Sequence, residues 1–345
     1  MNKKSGIING ILVGASVVVL IAYIVFVDGL DKILNAFSNC KPIWLLVGVF
    51  VMMGYWFLES HILNKGLKIF HKKLSLKYSI KNCMIGQFFN SITPSATGGQ
   101  PVQVYYMKKC GIEFGFATGA LLLKFICFQI SLTIICIFVM IFKFHEFAAE
   151  IQGFSAFMLV GFSINTAVAI ILLLIAFNKK IALVIVRFFV KILAKLRIFK
   201  NADEKLDSVN KEVDLFSEGF STAIENKLVV ANMFFCSMLQ ILLFYLINIV
   251  IAFALGVKMD LHAIFHTIAG AACIQMSSTF IPLPGAAGGA ELSYYLIYGS
   301  VFEPWQISAA VLLWRIYTFY MPIIVGLFFS KDLFGKEVNA DALSD

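Results

Sequence analysis

Residues 94–101 read PSATGGQP and residues 284–289 read PGAAGG, so the pattern P-x-A-x-G-G occurs twice, 190 residues apart. Both copies interrupt apolar surroundings. Proline removes a backbone N–H donor, and paired glycines accept backbone angles that other residues resist. A helix arriving at Pro94 or Pro284 is therefore expected to end there. A second half-helix is expected after the glycines, with Pro101 in the first turn of the first copy.

The surroundings give these breaks their meaning. The chain has 345 residues, 60% of them hydrophobic and 14% charged, and its mean hydropathy is +0.88. That is the composition of a polytopic membrane protein, not of soluble domains. A bilayer core needs roughly 20 apolar residues per helix. Six stretches qualify, at about 6–27, 42–63, 114–142, 153–177, 228–255 and 304–330. The first follows Lys3 and Lys4 and lacks a small-residue cleavage site before Asp28, so it reads as a retained span. Two further apolar stretches, about 82–107 and 263–302, contain the breaks. The expected fold is an all-α polytopic membrane protein with about six full spans plus two re-entrant broken-helix hairpins.

Charge placement orients this arrangement. Segment 64–81 carries Lys65, Lys68, Lys72, Lys73, Lys77 and Lys81 with no acid, which places it in the cytoplasm by the positive-inside rule. Alternation then puts the N-terminus, residues 178–227 and the tail beyond Ser330 on the same side of the cell membrane. That side collects 22 of the 28 Lys and Arg residues. The net charge of +8 is thus accounted for by anionic inner-leaflet lipids, with no nucleic acid partner. Arg187, Lys191 and Lys195, four apart within 178–200, suggest an interfacial amphipathic helix, with a short seventh span as the alternative. The mixed charges of 201–226 suit a solvated helix.

The seven cysteines show no C-x-x-C spacing, so neither a disulfide framework nor a zinc site is indicated. His262 and His266 are spaced i, i+4, but no cysteine or H-E-x-x-H accompanies them. Neither a metal site nor a cofactor is expected.

Four charges fall inside the expected membrane region: Glu59, Lys124, Glu291 and Arg315. Each costs about 2.5–3.5 kcal/mol at a bilayer centre on insertion scales, so each needs a partner or a watery cavity. Lys124, in GALLLKF, lies 30 residues after Pro94, and Arg315, in AAVLLWRI, lies 31 after Pro284. A broken motif followed at one spacing by a leucine run and a cation is an internal repeat. Repeat A covers about 6–142 and repeat B about 153–330 of a single integral membrane domain spanning 1–345, with 178–227 as a cytoplasmic amphipathic and linker segment. Each repeat has an odd number of crossings, so the second is expected inverted. Inverted repeats with interrupted helices are a pattern of secondary transporters, whose site lies where the repeats meet.

Half-helix N-termini carry unsatisfied N–H groups and partial positive charge, which favour an anion. With Lys124 and Arg315 added, the site suits phosphate. Asn90, Ser91, Thr93, Ser95, Thr97, Gln100 and Gln103 in the first copy would line a polar cavity with Gln275, Ser277, Ser278, Thr279 and Glu291 in the second. Blander readings stay open. A Pro-Gly break is often a kink or packing point, and Lys124 and Arg315 could snorkel to the interface. Glu59, near the cytoplasmic end of its span, is expected at the interface, whereas Glu291 is expected to pair with a cation or carry a proton. Tyr105, Tyr106, Tyr294, Tyr295 and Trp305 are expected in the aromatic belts.

The stretches FFNSITPSATGGQPVQVYYMKK and PLPGAAGGAE resemble the membrane region of the lysylphosphatidylglycerol synthase and flippase-like family. That family includes the flippase half of the multiple peptide resistance factor and stand-alone relatives. Its first motif, with Asn, Pro and Gly-Gly, is matched by Asn90, Pro94, Gly98 and Gly99. Its second, with Pro, Gly-Gly and Glu, is matched by Pro284, Gly288, Gly289 and Glu291. Many members carry an acidic or arginine residue just after the first Gly-Gly, where this chain has Gln100 and Val104. The resemblance implies lipid translocation with the substrate unassigned. The chain ends 15 residues after Ser330, so no synthase domain and no lysine transfer are expected.

The favoured reading is a non-enzymatic flippase or transporter for an anionic or phosphate-bearing lipid, a phospholipid or a polyprenyl-linked lipid. No G-x-x-x-x-G-K-[ST] is present, so transfer would be passive, ion-coupled or driven by a partner. The alternatives are an integral membrane enzyme acting on lipid or polyprenyl phosphates, and a scaffold for a separate synthase. A homo-oligomer or a partner enzyme is compatible with each.

Overall fold

The computed structural model describes residues 38, 40–69, 74–151, 154–184, 213–214, 216–217, 220–222, 224–278, 281 and 283–333. Among them all regular structure is helical apart from one isolated bridge. In chain order the helices are α1 (Pro42–Lys68), α2 (Leu76–Ile92), α3 (Gly99–Lys109), α4 (Phe114–Glu150), α5 (Phe154–Phe177), α6 (Lys227–Ala254), α7 (Leu261–Ser278) and α8 (Gly289–Tyr298). The last span is α9 (Pro304–Arg315), a π turn (Ile316–Tyr320) and α10 (Met321–Ser330).

Among the described residues, five helical segments are long and apolar enough to cross a membrane: Pro42–Lys68, Phe114–Ala149, Met158–Phe177, Lys227–Ala254 and Gln306–Ser330. They coincide with five of the six expected spans, and the protein is an all-α polytopic membrane protein. The expected span 6–27 lies outside the described residues. On α1 the exposed large hydrophobic side chains are Ile43, Leu46, Phe50, Met53 and Phe57, an alternating three- and four-residue spacing that forms one stripe of the helix. The opposite face buries Met52, Trp56, Glu59, Ser60 and Leu63. Lipid accepts the apolar stripe, so the polar groups turn inward.

Helices α1 and α6 run antiparallel. Lys41 N–H donates to the Ala254 carbonyl at 2.9 Å, and Gly66, at the other end of α1, faces Met233 near the start of α6. This pair defines the two ends of the bundle, and each broken stretch enters from one of them.

Helices α2 and α3 form the first hairpin. The Asn82 amide donates to the Gln103 carbonyl at 3.1 Å, and the Gln103 amide donates to Asn82 Oδ1 at 2.9 Å. The base of this hairpin lies at the end where α1 finishes. Asn64 of α1 donates to the Leu74 and Ser75 carbonyls at 3.3 and 3.0 Å, and Lys109 Nζ donates to the Leu333 carbonyl at 3.1 Å. Helices α7 and α8 form the second hairpin. The Tyr298 hydroxyl donates to the Thr267 carbonyl at 2.7 Å, and the Ser277 and Ser293 hydroxyls lie 3.1 Å apart. Its base lies at the opposite end, beside the close of α6, where the Gln306 amide of α9 donates to the Leu255 carbonyl at 3.2 Å.

Several expectations change here. Tyr106 and Tyr294 are fully buried, whereas Tyr105 and Tyr295 are exposed. Adjacent helical residues point about 100° apart, and here Tyr106 and Tyr294 are the members of each pair that turn into the bundle. The stretch expected as a solvated helix at 201–226 buries Val213, Phe216 and Phe220, whose three- and four-residue spacing forms an apolar face. Phe220 packs against Phe177 with ring centroids 5.5 Å apart. Arg187, Lys191 and Lys195 of the expected amphipathic helix lie outside the described residues.

Candidate functional site: two opposed helix breaks

The two breaks share one turn conformation after their prolines. In the first, Ala96 N–H donates to the Thr93 carbonyl at 3.2 Å and Thr97 N–H to the Pro94 carbonyl at 3.2 Å. In the second, Ala286 N–H donates to the Leu283 carbonyl at 2.9 Å and Ala287 N–H to the Pro284 carbonyl at 3.3 Å. The two residues after each proline are left-handed, Ser95 and Ala96 at φ 50° and 52°, Gly285 and Ala286 at φ 60° and 53°. This is a turn with two central residues at positive φ. Such angles in non-glycine residues are strained by about 1–2 kcal/mol each, which surrounding contacts must offset.

The glycines therefore act differently from the sequence expectation. Gly98 has an ordinary helical φ of −81°, and its role is closeness. A Cβ on Gly98 would lie 2.5 Å from Thr93 Cγ2, and one on Gly99 would lie 2.5 Å from the Gly86 carbonyl and closer still to Asn90. In the second copy Gly288 does need its positive φ of 84°, while a Cβ on Gly289 would collide with Ile281.

The two tips meet. Pro94 and Pro284 form an isolated antiparallel bridge. Neither proline has an N–H to give to the other, so the prolines oppose each other while the Thr93 and Leu283 carbonyls accept within their own turns. Pro94, Ser95, Ala96, Thr97, Gln100 and Gly288 are exposed, so this junction has an open side.

Half-helix amides are already engaged in both copies. Asn90 Oδ1 accepts from Gly99 N–H at 2.9 Å and Thr93 Oγ1 from Gly98 N–H at 2.8 Å. In the second break Glu291 Oε2 accepts from Gly288 N–H at 2.7 Å. Thr97 folds onto the Pro94 carbonyl at 2.9 Å, and Ser91 onto the Gln87 carbonyl at 2.9 Å. Ser277 and Ser278 each reach the Ile274 carbonyl at 2.7 Å. Gln103, expected to line the cavity, is buried between the arms of its own hairpin. Thr279 lies outside the described residues.

The four intramembrane charges form two ion pairs. Lys124 Nζ of α4 lies 2.6 Å from Glu59 Oε1 of α1, with side-chain exposures of 14% and 9%. Gln87 of α2 donates to Glu59 Oε2 at 2.6 Å. Glu59 is thus an interior group, not an interfacial one, because it lies on the buried face of α1 with Ser60 and Asn64. Arg315 Nε and Nη2 both lie 2.6 Å from Glu291 Oε1, and Nη1 donates to the Gly285 carbonyl at 2.7 Å. The Arg315 guanidinium also lies over the Trp314 and Phe319 rings, 4.8 and 5.6 Å from their centroids, and Phe319 covers Gly285. Neither cation snorkels.

The π turn directly follows Arg315. Met321 N–H reaches back to the Ile316 carbonyl, and Pro322 has no N–H to continue the regular pattern. The Thr318 hydroxyl caps the Trp314 carbonyl at 2.7 Å. One cation thus sits at a π bulge and the other on an unbroken helix.

A third polar cluster escaped the sequence reading. At the end of the bundle where α4 closes, Glu146 contacts Lys143 and accepts at 2.7 Å from His266 Nδ1, while His262 Nε2 lies 3.0 Å from Lys143 Nζ. The histidine pair serves this network, which ties α7 to α4. Among the described residues no group of three or more His, Cys, Asp or Glu side chains is arranged to hold a metal.

Among the described residues, five segments long and apolar enough to cross a membrane and two opposed broken hairpins define a polytopic α-helical membrane protein with a paired interruption. The sequence profile of the lysylphosphatidylglycerol synthase TM region matches residues 8–326, and the chain belongs to that family. It is similar to a UPF0104 membrane protein of Archaeoglobus fulgidus, with 26% identity over 302 residues, 82% of this chain and 85% of the relative. It is also similar to a UPF0104 membrane protein of Methanocaldococcus jannaschii, with 23% identity over 318 residues, 90% and 89% of the two chains. No solved structure matches the chain.

Proposed function

We propose that this protein carries a phosphate-bearing or otherwise anionic lipid between the leaflets of the cell membrane. The observation that carries the reading is the bridge between Pro94 and Pro284, where hairpins from opposite ends of the bundle meet. Broken backbone at membrane depth is tolerated where it is buried in protein or lines a water-filled cavity. A headgroup at such a junction lies between two half-gates. The shared turn and the matching spacing to Lys124 and Arg315 support an inverted repeat, with repeat A near 6–142 and repeat B near 153–330.

In this reading Asn90, Pro94, Thr97, Gly98, Gly99 and Gln100 form the substrate surface of one half, and Pro284, Gly288, Gly289 and Glu291 that of the other. Lys124 and Arg315 supply positive charge when their carboxylates yield. Both termini lie in the cytoplasm, and the basic inner face holds anionic lipids.

The test is reconstitution in liposomes with a fluorescent phospholipid and a membrane-impermeant quencher. Accelerated transfer of chemically unchanged lipid supports the proposal. A lipid of altered mass would instead indicate an enzyme acting on lipid phosphates, and tight capture of a synthase without transfer would indicate a scaffold. Replacing Lys124 and Arg315 together by Leu is expected to abolish transfer while insertion persists, and undiminished transfer would remove them from the mechanism.

A further inference from the structure

The second break already contains an anion. Glu291 Oε2 takes the Gly288 N–H at 2.7 Å, and Oε1 accepts from Arg315 Nε at 2.6 Å, with Nη2 at an ion-pair distance of 2.6 Å. A half-helix amide and a guanidinium converging on one pair of oxygens are the donors that bind phosphate elsewhere. Two features separate this from routine capping. Arg315 comes from a different helix and is buried, with its side chain 6% exposed. The first break, with the same turn, is capped by the neutral oxygens of Thr93 and Asn90, and the position matching Glu291 is Pro101. Capping alone therefore needs no acid.

We propose that Glu291 is a resident substitute for the substrate's phosphate: its carboxylate holds the anion position of the second break, and the phosphate group of the ligand displaces it. This rests on the proposed function and deepens it, because it assigns the anion site to one break and makes binding competitive. A phosphate offers more acceptor oxygens than a carboxylate, so it can engage Arg315 and Gly288 while keeping further oxygens for other donors. Gly288 is exposed, which gives the incoming group a route. Glu59 has no equivalent place, since Gln87 of α2 holds it against Lys124 and not against a backbone amide. The exchange keeps the buried guanidinium matched by an anion throughout, as its burial demands.

The experiment compares full-length protein, E291Q and E291Q/R315Q by thermal unfolding in detergent. Titrations use sodium phosphate at constant ionic strength, and separately phosphatidic acid or phosphatidylglycerol in mixed micelles, with chloride and phosphatidylcholine as controls. Gln retains an acceptor for the Gly288 N–H but removes the competing charge. E291Q should be less stable than the parent, be rescued by phosphate, and show at least about tenfold tighter apparent affinity, equivalent to about 1.4 kcal/mol. The double variant should lose the rescue.

Rescue by inorganic phosphate assigns the site to any accessible phosphate. Rescue by the anionic lipids alone assigns it to a headgroup. Should E291Q fail to accumulate, E291D keeps the charge but retracts it by one methylene, and a gain in phosphate affinity smaller than tenfold is expected. Equal phosphate response in the parent and the Glu291 variants overturns the proposal. Lipid transfer by the parent without any affinity gain in E291Q sinks this inference alone. An affinity gain without lipid transfer keeps the anion site and removes the flippase.

Discussion

Removing Lys124 while leaving Glu59 in place is expected to destabilise the bundle far more than removing both. The 2.6 Å separation corresponds to about 6 kcal/mol at an effective dielectric of about 20. Desolvation of the two groups opposes most of that gain, so the pair as a whole contributes little. A Glu59 left alone keeps its desolvation penalty and retains Gln87 as a neutral donor, a situation that typically costs about 3–5 kcal/mol. Lys124→Met should therefore lower Tm by about 6–20 °C, at roughly 2–4 °C per kcal/mol. Lys124→Met with Glu59→Gln should return to within about 1 kcal/mol of the parent, because neither residual group is then charged. A thiol-reactive fluorogenic dye in detergent is a suitable assay, since Cys83, Cys110, Cys127, Cys136 and Cys273 are buried and react on unfolding. If the double variant loses as much as the two single variants summed, the pair is not coupled and the reasoning fails.

Pro94→Cys with Pro284→Cys, in a background stripped of native cysteines, is expected to cross-link on mild oxidation, since residues opposed across an antiparallel pair have Cα atoms about 4.5–5.5 Å apart, within disulfide reach. Absence of cross-linking in folded protein would contradict the tip-to-tip junction. Gly99→Ala should cost about 1–3 kcal/mol, because its Cβ would press on the Gly86 carbonyl and spread the hairpin; unchanged thermal stability would refute the close approach. Asn90→Ala should cost about 1 kcal/mol through loss of the cap on Gly99 N–H, read in the same melt. Glu146→Gln should loosen the attachment of α7, raising amide exchange across 261–266 about tenfold; unaltered exchange would show that the Glu146 contact to His266 does not restrain the hairpin.

The membrane class, five of the spans and both breaks could be read from the chain because each depends on neighbours close in sequence. A run of some 20 apolar residues has the length of a bilayer core at 1.5 Å per residue. Proline ends a helix wherever it falls. The 30- and 31-residue spacings from the breaks to Lys124 and Arg315 were likewise visible in the chain. What was misread follows from contacts at long separation. Glu59 looked interfacial by its distance from a helix end, but Lys124, 65 residues on, meets it in the interior. The Lys143–Glu146 and His262–His266 network joins groups about 120 residues apart, and no local pattern announces it.

Local chemistry thus dictates where helices start, stop and face lipid, since backbone hydrogen bonding and hydropathy act over a few residues. Which carboxylate neutralises which cation, why Gly98 and Gly99 must be small, and that Pro94 touches Pro284 are settled when separate hairpins pack together. Close packing and desolvation operate between surfaces distant in the chain, and those surfaces exist after assembly of the bundle.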